Sequence, residues 1–499
     1  MENILALHYP LILRQVIYAV LFVACSALWW RYDEICKRDD PLLRIPGPLC
    51  LPLIGSVLSF GNVPHLAFLE LRKRYGDVYR VQIGSVPVVI LNGVGVIREA
   101  LVGQGDIFSG RPDLMTFRLA SEGRSMAFNS FSPEWKLHRR LAERALKLVE
   151  IENQFVKKVI VKEANILAES MASHGEGVTF DPVPDITWSV ARVMYSLCYG
   201  DSRETPDFRE MIQNTLELIR CHQLGNALNF FPAFRFLMIR MRRQLMHVCD
   251  QMLRNTMAKE REHLDTYRDD EIRDAMDALI RLAVRRPCPL PTDQVLHTVQ
   301  EFIGAGLDII YMAVAWAVLY CAKYPEAREK MIEEIDSVVG RNRNPCENDI
   351  KSLPYTMAFA LETIRYSCVV PMALPHSTLV DTTLAGYHIP ADTMILLNLC
   401  SLHKDPETWG DPENFRPGRF IDDVTGGLDE SRLEVFAGFG QGRRRCIGEQ
   451  LAKQQLVIYM VAILQKCVFS GSGEKLDETS QSGIVLRPRD FHIQISPRD

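Results

Sequence analysis

The chain has 499 residues and a formal net charge of −5, with 47% hydrophobic and 24% charged residues. This composition is typical of a globular protein with a large buried core, and the modest charge gives no indication of a nucleic-acid partner. The thirteen cysteines are odd in number and contain no C-x-x-C pair. They argue against a disulfide framework and against a zinc site, and they favour a reducing compartment with mostly free thiols.

The first forty residues contain a candidate membrane anchor. Residues 16–30 (VIYAVLFVACSALWW) carry no charge, and the apolar residues 11–13 extend them towards the length that crosses a bilayer. The two tryptophans suit the membrane interface, and the basic residues over 31–44 would place the following chain in the cytosol. A cleaved signal peptide and a buried N-terminal helix are the alternatives. We predict one transmembrane helix and a linker within residues 1–40.

A proline-rich stretch separates this candidate anchor from the rest of the chain. Pro41 and residues 46–48 (PGP) cannot continue a helix, so the stretch is interpreted as a stiff spacer or an ordinary loop. No internal repeat or second domain boundary is evident after it. We therefore expect residues 41–499 to form one catalytic domain.

Hydrophobic periodicity predicts a mostly helical chain. Residues 77–91 alternate as two strands joined by a Gly-Ser turn, and strand-like runs return over 377–400. A last helix is predicted from near Cys446 to about Lys466. The expected fold class is mostly α with small β-sheets near its ends, an α+β arrangement. The other predicted helices span residues 65–75, 134–150, 153–173, 185–199, 207–222, 239–262, 269–285, 293–323, 325–338 and 354–367.

Residues 439–448 (FGQGRRRCIG) have the form F-x-x-G-x-R-x-C-x-G. A thiolate binds iron, and Cys446 lies where a helix is predicted to start, so the helix dipole would favour its anionic form. The glycines would let the backbone approach a flat ligand closely, and the Arg444 guanidinium matches a carboxylate in geometry. A structural cysteine in a glycine-rich turn is the alternative. The segment resembles the signature of the cytochrome P-450 superfamily, which implies the P-450 fold, haem b as cofactor and Cys446 as its axial ligand.

The resemblance implies further roles around the haem. Glu362 and Arg365 form an E-x-x-R pair on a predicted helix, and with Arg419 of a P-x-R-F stretch they would make a buried ion network that clamps the cysteine loop. A solvated surface pair is the alternative for so short a motif. Family positions that contact the haem or its propionates correspond to Trp135, Arg139, His376, Phe439, Gly442, Arg444 and Gly448.

The longest predicted apolar helix contains the segment 304–309 (GAGLDI). It resembles the family's A-G-x-D-T segment, in which Ala305 and Gly306 would leave room for dioxygen and Asp308 would relay protons. A buried carboxylate satisfied by its neighbours is the alternative for Asp308. Ile309 stands where the family has threonine and has no hydroxyl. General acid–base assistance, typically worth ~10²–10⁴-fold, would then depend on an ordered water.

The resemblance covers residues 41–499 and is closest to the animal microsomal group that includes the aryl-hydrocarbon-oxidising family, with steroid 17-hydroxylases as near relatives. Segments such as 111–117 (RPDLMTF) and 386–390 (GYHIP) carry it. The implied substrate is lipophilic: an aromatic xenobiotic, a steroid or a fatty acid. Apolar residues at such positions also suit an ordinary core. Beside Ala305, the implied pocket residues are Phe117, Asn229, Phe230, Phe231, Val370, Leu374 and Val485.

The leading function is a haem-thiolate monooxygenase that takes electrons from NADPH through a reductase, because the chain has no convincing dinucleotide motif. A reductase-independent haem-thiolate isomerase or peroxygenase is one alternative, which Ile309 supports best, and a non-catalytic haem sensor is another. Cytochrome b5 is a second candidate electron donor. The expected location is the endoplasmic reticulum membrane, in contact with lipid and with the catalytic domain facing the cytosol. Five basic residues would form either a solvated charge run or a docking face for an acidic reductase: Lys136, Arg140, Arg443, Arg445 and Lys453.

Overall fold

The computed structural model describes residues 40–498, except 62, 153, 201–204, 222–225, 285–289 and 472–475, together with the isolated residues 20, 23, 24 and 27. The predicted anchor thus lies almost entirely outside the described residues. The described chain is mostly helical, as the sequence predicts. Its helices are α1 (Pro64–Tyr75), α2 (Val94–Arg98), α3 (Met115–Ser121), α4 (Pro133–Glu152), α5 (Gln154–Ser173), α6 (Val183–Tyr199), α7 (Pro206–Cys221), α8 (Ala227–Phe230), α9 (Ile239–Thr266), α10 (Ala275–Leu279), α11 (Thr292–Lys323), α12 (Pro325–Val338), α13 (Pro354–Ser367), α14 (Cys400–His403), α15 (Pro406–Trp409), α16 (Glu430–Val435) and α17 (Glu449–Lys466).

The strands form small sheets, the largest with the order β1-β2-β6-β3. Its first two strands are the predicted hairpin, with Val78 opposite Leu91 and Ile83 opposite Val86. Strand β6 then pairs parallel to β2. Three two-stranded antiparallel sheets join β4 to β5, β7 to β10 and β8 to β9. The strands are β1 (Val78–Ile83), β2 (Val86–Leu91), β3 (His376–Ser377), β4 (Thr382–Leu384), β5 (Tyr387–Ile389), β6 (Met394–Leu397), β7 (Cys467–Gly471), β8 (Ser480–Gln481), β9 (Arg487–Pro488) and β10 (Ile493–Pro497).

Helix α11 is the centre of the hydrophobic core. Every residue from 310 to 321 is buried, and the helix packs against α6 and α17. In the described part of the chain, α11 is the one helix long and apolar enough to cross a membrane, but most of its apolar stretch is buried inside the protein. A helix that is apolar on all sides needs such burial. The core therefore holds residues 304–309 in the interior.

Two predicted helix starts are displaced by three residues or more. The helix expected over 269–285 begins only at Ala275, because the Asp274 side chain accepts a hydrogen bond from a backbone N–H of the first turn and caps it there. The last helix begins at Glu449, three residues after Cys446. Periodicity also missed α2, α3, α8, α14, α15 and α16, which have seven residues or fewer and so carry little pattern.

Candidate active site

The cysteine loop immediately precedes α17 and is fixed by its backbone. The Cys446 N–H donates to the Phe439 carbonyl oxygen at 2.9 Å. Gly440 and Gly442 have positive φ angles of 71° and 67°, which glycine adopts without strain. A Cβ atom at position 442 would collide with the Leu101 carbonyl oxygen, so no other residue fits there. The loop therefore presents the Cys446 sulfur in a defined position.

Cys446 lines an internal cavity of about 310 Å³. The residue is exposed by surface area, because it faces this cavity. The wall is mostly apolar and is built from α11, the cysteine loop and parts of the segments 369–376 and 397–399. A larger groove of about 890 Å³ lies between α5 and α17, but Cys446 does not line it. The smaller cavity is the candidate site, since it holds the reactive sulfur.

The surroundings of the Cys446 thiol match the expectation from the sequence only in part. Burial raises the pKa of this thiol, and a hydrogen bond from the Gly448 N–H lowers it by less. Because Cys446 precedes α17, the helix dipole acts on it more weakly than on a residue of the first turn. The protein alone thus favours the thiol, and a thiolate needs a further positive charge such as a metal ion.

Three basic side chains that line the cavity form a group that we call the cation cluster: Arg111, His376 and Arg444. Arg444 donates to the Ser109 carbonyl oxygen at 2.7 Å, and Arg111 donates to the Pro375 carbonyl oxygen at 2.8 Å. Burial lowers the pKa of all three groups, and the Arg111 charge lowers those of His376 and Arg444 further. Both arginines stay charged, because their intrinsic pKa is so high. The sequence did not indicate Arg111 as a site residue, because it lies in the loop before α3, where no local pattern marks it.

The cation cluster and the cavity together fit a haem. Buried charges are costly unless they are paired. Among the described residues of the cavity wall, Glu301 is the one acidic side chain. Two guanidiniums match two propionate groups in number and geometry. The apolar wall suits the macrocycle, and the Cys446 sulfur suits its iron.

Trp135 and Arg139 lie beside the cation cluster with their polar atoms turned to the protein. Trp135 Nε1 donates to the Met126 carbonyl oxygen at 2.8 Å, and the Arg444 guanidinium carbon lies 4.1 Å from the Trp135 ring centre. Arg139 pairs with Glu143 at 2.7 Å and donates to a loop carbonyl. A direct bond from either side chain to a propionate would require a change of partner.

The segment 304–309 brings three of its predicted residues to the cavity. Ala305, Gly306 and Ile309 line the wall. A Cβ atom at position 306 would collide with the Met194 side chain, so packing alone already demands glycine there. The apolar Ile309 therefore occupies the surface on which the family's threonine would stand.

Asp308 points elsewhere. It is 4% exposed and does not line the cavity, and its Oδ1 accepts a hydrogen bond from Arg487 Nη2 at 3.2 Å. Burial raises the pKa of Asp308, while Arg487 and the Tyr311 hydroxyl lower it in part. The alternative reading of a buried carboxylate satisfied by neighbours thus describes its contacts.

Glu301 is a cavity residue that sequence reasoning missed. It lies four and eight residues before Ala305 and Ile309, so the three share one face of α11. Its carboxylate accepts hydrogen bonds from the Ser125 hydroxyl and from the N–H groups of Met126, at 3.1 Å, and the following residue, at 2.9 Å. Burial raises its pKa, which these bonds partly offset. Its helical spacing from residues 305 and 309 was the available signal.

Glu362, Arg365 and Arg419 meet in the interior, and we call this group the ion network. Arg365 Nε lies 2.7 Å from Glu362 Oε2, and Arg419 Nε lies 3.0 Å from Glu362 Oε1. Arg365 also donates to the His403 carbonyl oxygen at 2.6 Å, and Arg419 to the Trp409 carbonyl oxygen at 2.6 Å. All three side chains are almost fully buried. Asp411 also pairs with Arg419 at 3.2 Å, so two carboxylates match the two guanidiniums, as a structural clamp requires.

Most of the expected pocket residues lie outside the cavity. Val370 and Leu374 line it. The other five belong to neighbouring packing because apolar composition does not distinguish a cavity wall from a core. Phe230 and Phe231 line a separate cavity of about 380 Å³. The remaining three are placed as follows: Phe117 stacks on Phe128 at 4.3 Å, Asn229 accepts the Thr116 N–H at 3.0 Å, and Val485 is buried in the core.

The predicted basic face is partly neutralised. Arg445 and Lys453 both pair with Glu449 at 2.7 Å. Arg443 pairs with Asp106 at 2.7 Å. The exposed cations Lys136 and Arg140 stand on α4. The face carries more acidic charge than its basic residues alone suggested.

Comparisons with known proteins agree with this geometry. A family model described as Cytochrome P450 matches residues 45–495. Cytochrome P450 1A2 of Oryctolagus cuniculus is 35% identical over 496 residues, which cover 95% of this chain and 96% of that protein. The Mus musculus protein of the same name is 36% identical over 495 residues, with 95% and 96% coverage. The Homo sapiens protein is 34% identical over 504 residues, with 97% and 96% coverage.

Proposed function

Because this chain belongs to the cytochrome P450 family of haem-thiolate monooxygenases, we propose that it oxidises lipophilic substrates with electrons from a separate NADPH-dependent reductase. Haem, when bound, activates dioxygen so that one of its atoms enters the substrate. One observation carries the proposal: Cys446 shares an apolar cavity with Ala305 and Ile309 of α11. A sulfur ligand and a substrate space on the two sides of one planar group are what this chemistry needs.

The chain's own residues would hold the cofactor in three ways. Cys446 would bind the iron, and the loop that includes Phe439, Gly442 and Gly448 would lie along the macrocycle. Arg111 and Arg444 would pair with the propionates, because each guanidinium can bind a carboxylate through two N–H groups. His376 donates its Nδ1–H to the Phe108 carbonyl oxygen at 2.6 Å, so Nε2 of the neutral ring is an acceptor, and His376 would help to shape this edge of the site rather than donate to a propionate. Trp135 and Arg139 would support this edge, mainly by positioning Arg444.

The cavity would select substrates by apolar contact. Val370, Leu374 and Ala305 line it, and its basic residues belong to the cation cluster that the propionates would occupy. Little polar surface then remains to bind a strongly charged substrate, since desolvating a charge without a partner is unfavourable. An aromatic compound, a steroid or a fatty-acid chain fits this environment.

Proton delivery would differ from the family pattern. Ile309 offers no hydroxyl, and Asp308 is held by Arg487 on the side away from the cavity. An ordered water would have to connect the carboxylate of Asp308 with the reacting oxygen. We expect part of the reducing power to be lost as hydrogen peroxide for this reason.

The chain would be anchored in the endoplasmic reticulum membrane by a helix within residues 1–40, with residues 41–499 as the catalytic domain in the cytosol. An exposed group of cations around Arg443 and on α4 would dock the acidic reductase, and cytochrome b5 is a second candidate donor. The pairing of Lys453 with Glu449 leaves less net positive charge there than the sequence suggested.

A second candidate function is a reductase-independent isomerase or peroxygenase, which the apolar Ile309 favours because neither a heterolytic proton relay nor electron delivery is then required. Oxygen-isotope labelling with a lipophilic test substrate separates the two. The proposal predicts one ¹⁸O atom per product from ¹⁸O₂ with NADPH and reductase, and no product without them. Product formed without reductase, either isomerised or labelled from ¹⁸O-peroxide alone, would replace it with the second candidate.

The role of position 309 is tested by Ile309→Thr, with Ile309→Val as the matched control, because valine has the shape of threonine but no hydroxyl. We expect a several-fold fall in peroxide released per NADPH consumed in Ile309→Thr and no change in the control. Equal peroxide release in both proteins would show that the missing hydroxyl is irrelevant to coupling.

A further inference from the structure

Two cysteines lie directly behind the wall of the candidate active site. Cys368 precedes Val369 and Cys400 follows Leu399, and both of these apolar neighbours line the cavity. The two cysteines are 3% and 0% exposed and belong to one small packed cluster with Leu486. They are 32 positions apart in sequence, so the fold has brought them together.

A histidine completes this group. His403 is 1% exposed, and neither of its ring nitrogens makes a well-formed hydrogen bond. A buried polar group without a partner is uncommon and calls for a physical reason. The imidazole plane stacks on Phe436 at 5.6 Å, which fixes its orientation. The ring is close enough to Cys368 to affect the ionisation of that thiol.

The two thiols differ in their electrostatic surroundings. The Cys368 thiol donates to the Arg365 carbonyl oxygen at 3.5 Å, and the neighbouring Cys400, His403 and Lys404 favour its ionised form and hold its pKa well below its usual range. Burial and the neighbouring Cys368 sulfur raise the pKa of the Cys400 thiol. A thiolate beside a protonated thiol is the arrangement in which peroxide oxidation leads on to a disulfide.

We propose that Cys368 and Cys400 are a peroxide-reactive thiol pair, at which hydrogen peroxide forms an intramolecular disulfide between the two chain segments behind the haem cavity. The Cys368 sulfur attacks one peroxide oxygen, the O–O bond breaks, and the sulfenic acid and a water molecule form. The Cys400 sulfur then attacks the Cys368 sulfur, the S–O bond breaks, and a second water leaves. Two thiols and one peroxide thus give one disulfide and two waters.

The position of the pair suggests where its oxidant comes from. This part rests on the proposed function, in which the apolar Ile309 causes peroxide to be released into the cavity. Hydrogen peroxide is nearly as small as water and would reach Cys368 past Val369 and Val370. The disulfide would also tie α13, which carries the ion network, to α14, whose His403 carbonyl oxygen accepts from Arg365.

The test is oxidation of the full-length protein by added hydrogen peroxide, followed by alkylation after denaturation and mass analysis. We expect a linked 368–400 peptide pair that is lighter by two hydrogens and is released by reductant. Cys346, an exposed thiol, is the internal control. Accessibility alone would oxidise Cys346 first, whereas the proposal predicts that the pair oxidises about tenfold faster, since reactivity follows thiolate content.

Three variants sharpen the test. Cys400→Ala should leave Cys368 as a sulfenic or sulfinic acid without a cross-link. His403→Asn should slow cross-linking by about tenfold, because it removes a group that favours the thiolate. Cys198→Ser, which changes another buried thiol that donates to a backbone carbonyl, should change nothing. If the wild-type pair stays alkylatable while Cys346 oxidises, or if Cys368 is over-oxidised without a cross-link, the proposal is overturned.

A second arm replaces added peroxide with NADPH and reductase, with and without catalase. Cross-linking that catalase suppresses would support peroxide from the haem cavity as the natural oxidant. Cross-linking by added peroxide but not during turnover would overturn that source and leave the thiol pair intact. The failure of the site and the failure of the proposed haem chemistry are therefore distinguishable.

Discussion

The ion network and the cation cluster are both buried and charged, yet they are built differently. In the ion network, the Glu362 carboxylate pairs with Arg365 and Arg419, and Asp411 pairs with Arg419 as a second carboxylate. Other N–H groups of the two arginines donate to backbone carbonyls. In the cation cluster, Arg111 and Arg444 have backbone carbonyls as partners, and Glu301 is the one acid among the described residues that line the cavity with them. One group is electrically complete, and the other has an excess of positive charge.

This difference separates a structural role from a binding role. A complete ion network connects separate segments of the fold, and removing one of its partners strongly destabilises the folded state. An incomplete cluster is unfavourable by itself and becomes favourable when an anion arrives, so its value appears as ligand affinity. Haem with two propionates is the anion that fits the cavity beside Arg111 and Arg444.

The largest expected effect comes from breaking the ion network. Glu362→Gln would leave the buried Arg365 guanidinium without a counter-charge and Arg419 with Asp411 alone, and we expect a loss of about 3–5 kcal/mol of unfolding free energy. Denaturant unfolding of the purified protein measures it. The control is Glu70→Gln, which breaks the exposed pair of Lys73 and Glu70 and should change stability by less than about 0.5 kcal/mol. Equal effects in the two variants would show that the network does not clamp the fold.

Removing one charge of the cation cluster should affect haem more than folding. Arg444→Leu would lose a charge-assisted bond worth about 1.5–3 kcal/mol, so we expect haem to dissociate roughly 10–100-fold faster. Transfer of haem to an acceptor protein measures this rate. The adjacent Arg443→Leu changes an exposed arginine paired with Asp106 and should leave the rate unchanged. Similar rates for both variants would remove Arg444 from the haem site.

Acid should weaken the cation cluster through His376. Burial lowers the pKa of His376 well below its usual value of 6.5, so the unfolded chain binds this proton more readily than the folded chain. Stability from the neutral imidazole is therefore present above pH 6.5 and is lost as the pH falls from there towards the folded pKa. His376→Gln should flatten this part of the stability profile, measured by thermal unfolding between pH 7 and 5. An unchanged slope would mean that other groups cause the acid sensitivity.

The smallest effect is expected from reversing charges on the predicted basic face. Combined charge reversal at Arg443 and Lys453 should slow reduction by the reductase only a few-fold and make the rate less dependent on salt, because solvent screens such charges. Stopped-flow reduction at two ionic strengths measures both changes. A variant with the wild-type rate and salt dependence would place the reductase elsewhere.

The features that could be predicted from the sequence are those that depend on residues close together in the chain. Glu362 and Arg365 share one helical face by spacing alone, and the glycines around Cys446 occupy positions that the backbone geometry requires. Regular elements with strong periodicity, such as α11, were also predicted almost to the residue. In each case the information is local in the chain.

The parts that the sequence missed depend on distant packing. Arg111 belongs to the cation cluster because its guanidinium donates to the carbonyl oxygens of residues 374 and 375, which lie more than 260 positions away in the chain. The Asp308 side chain is held by a hydrogen bond from Arg487, which lies 179 residues away in the chain. Phe230 and Phe231 were expected at the active site from the resemblance to the family, but they line a neighbouring cavity. An apolar side chain indicates that a residue is buried, but the fold determines which neighbours it contacts.

The central claim is that the Cys446 sulfur binds haem iron, and the spectrum of the reduced protein with carbon monoxide tests it most directly. The wild-type chain and the Cys198→Ser control should both show the absorption band of thiolate-ligated haem. Cys446→Ser should lose this band, whether or not it retains haem through the cation cluster. A Cys446→Ser protein with an unaltered band would contradict the account, because another residue would then have to be the ligand.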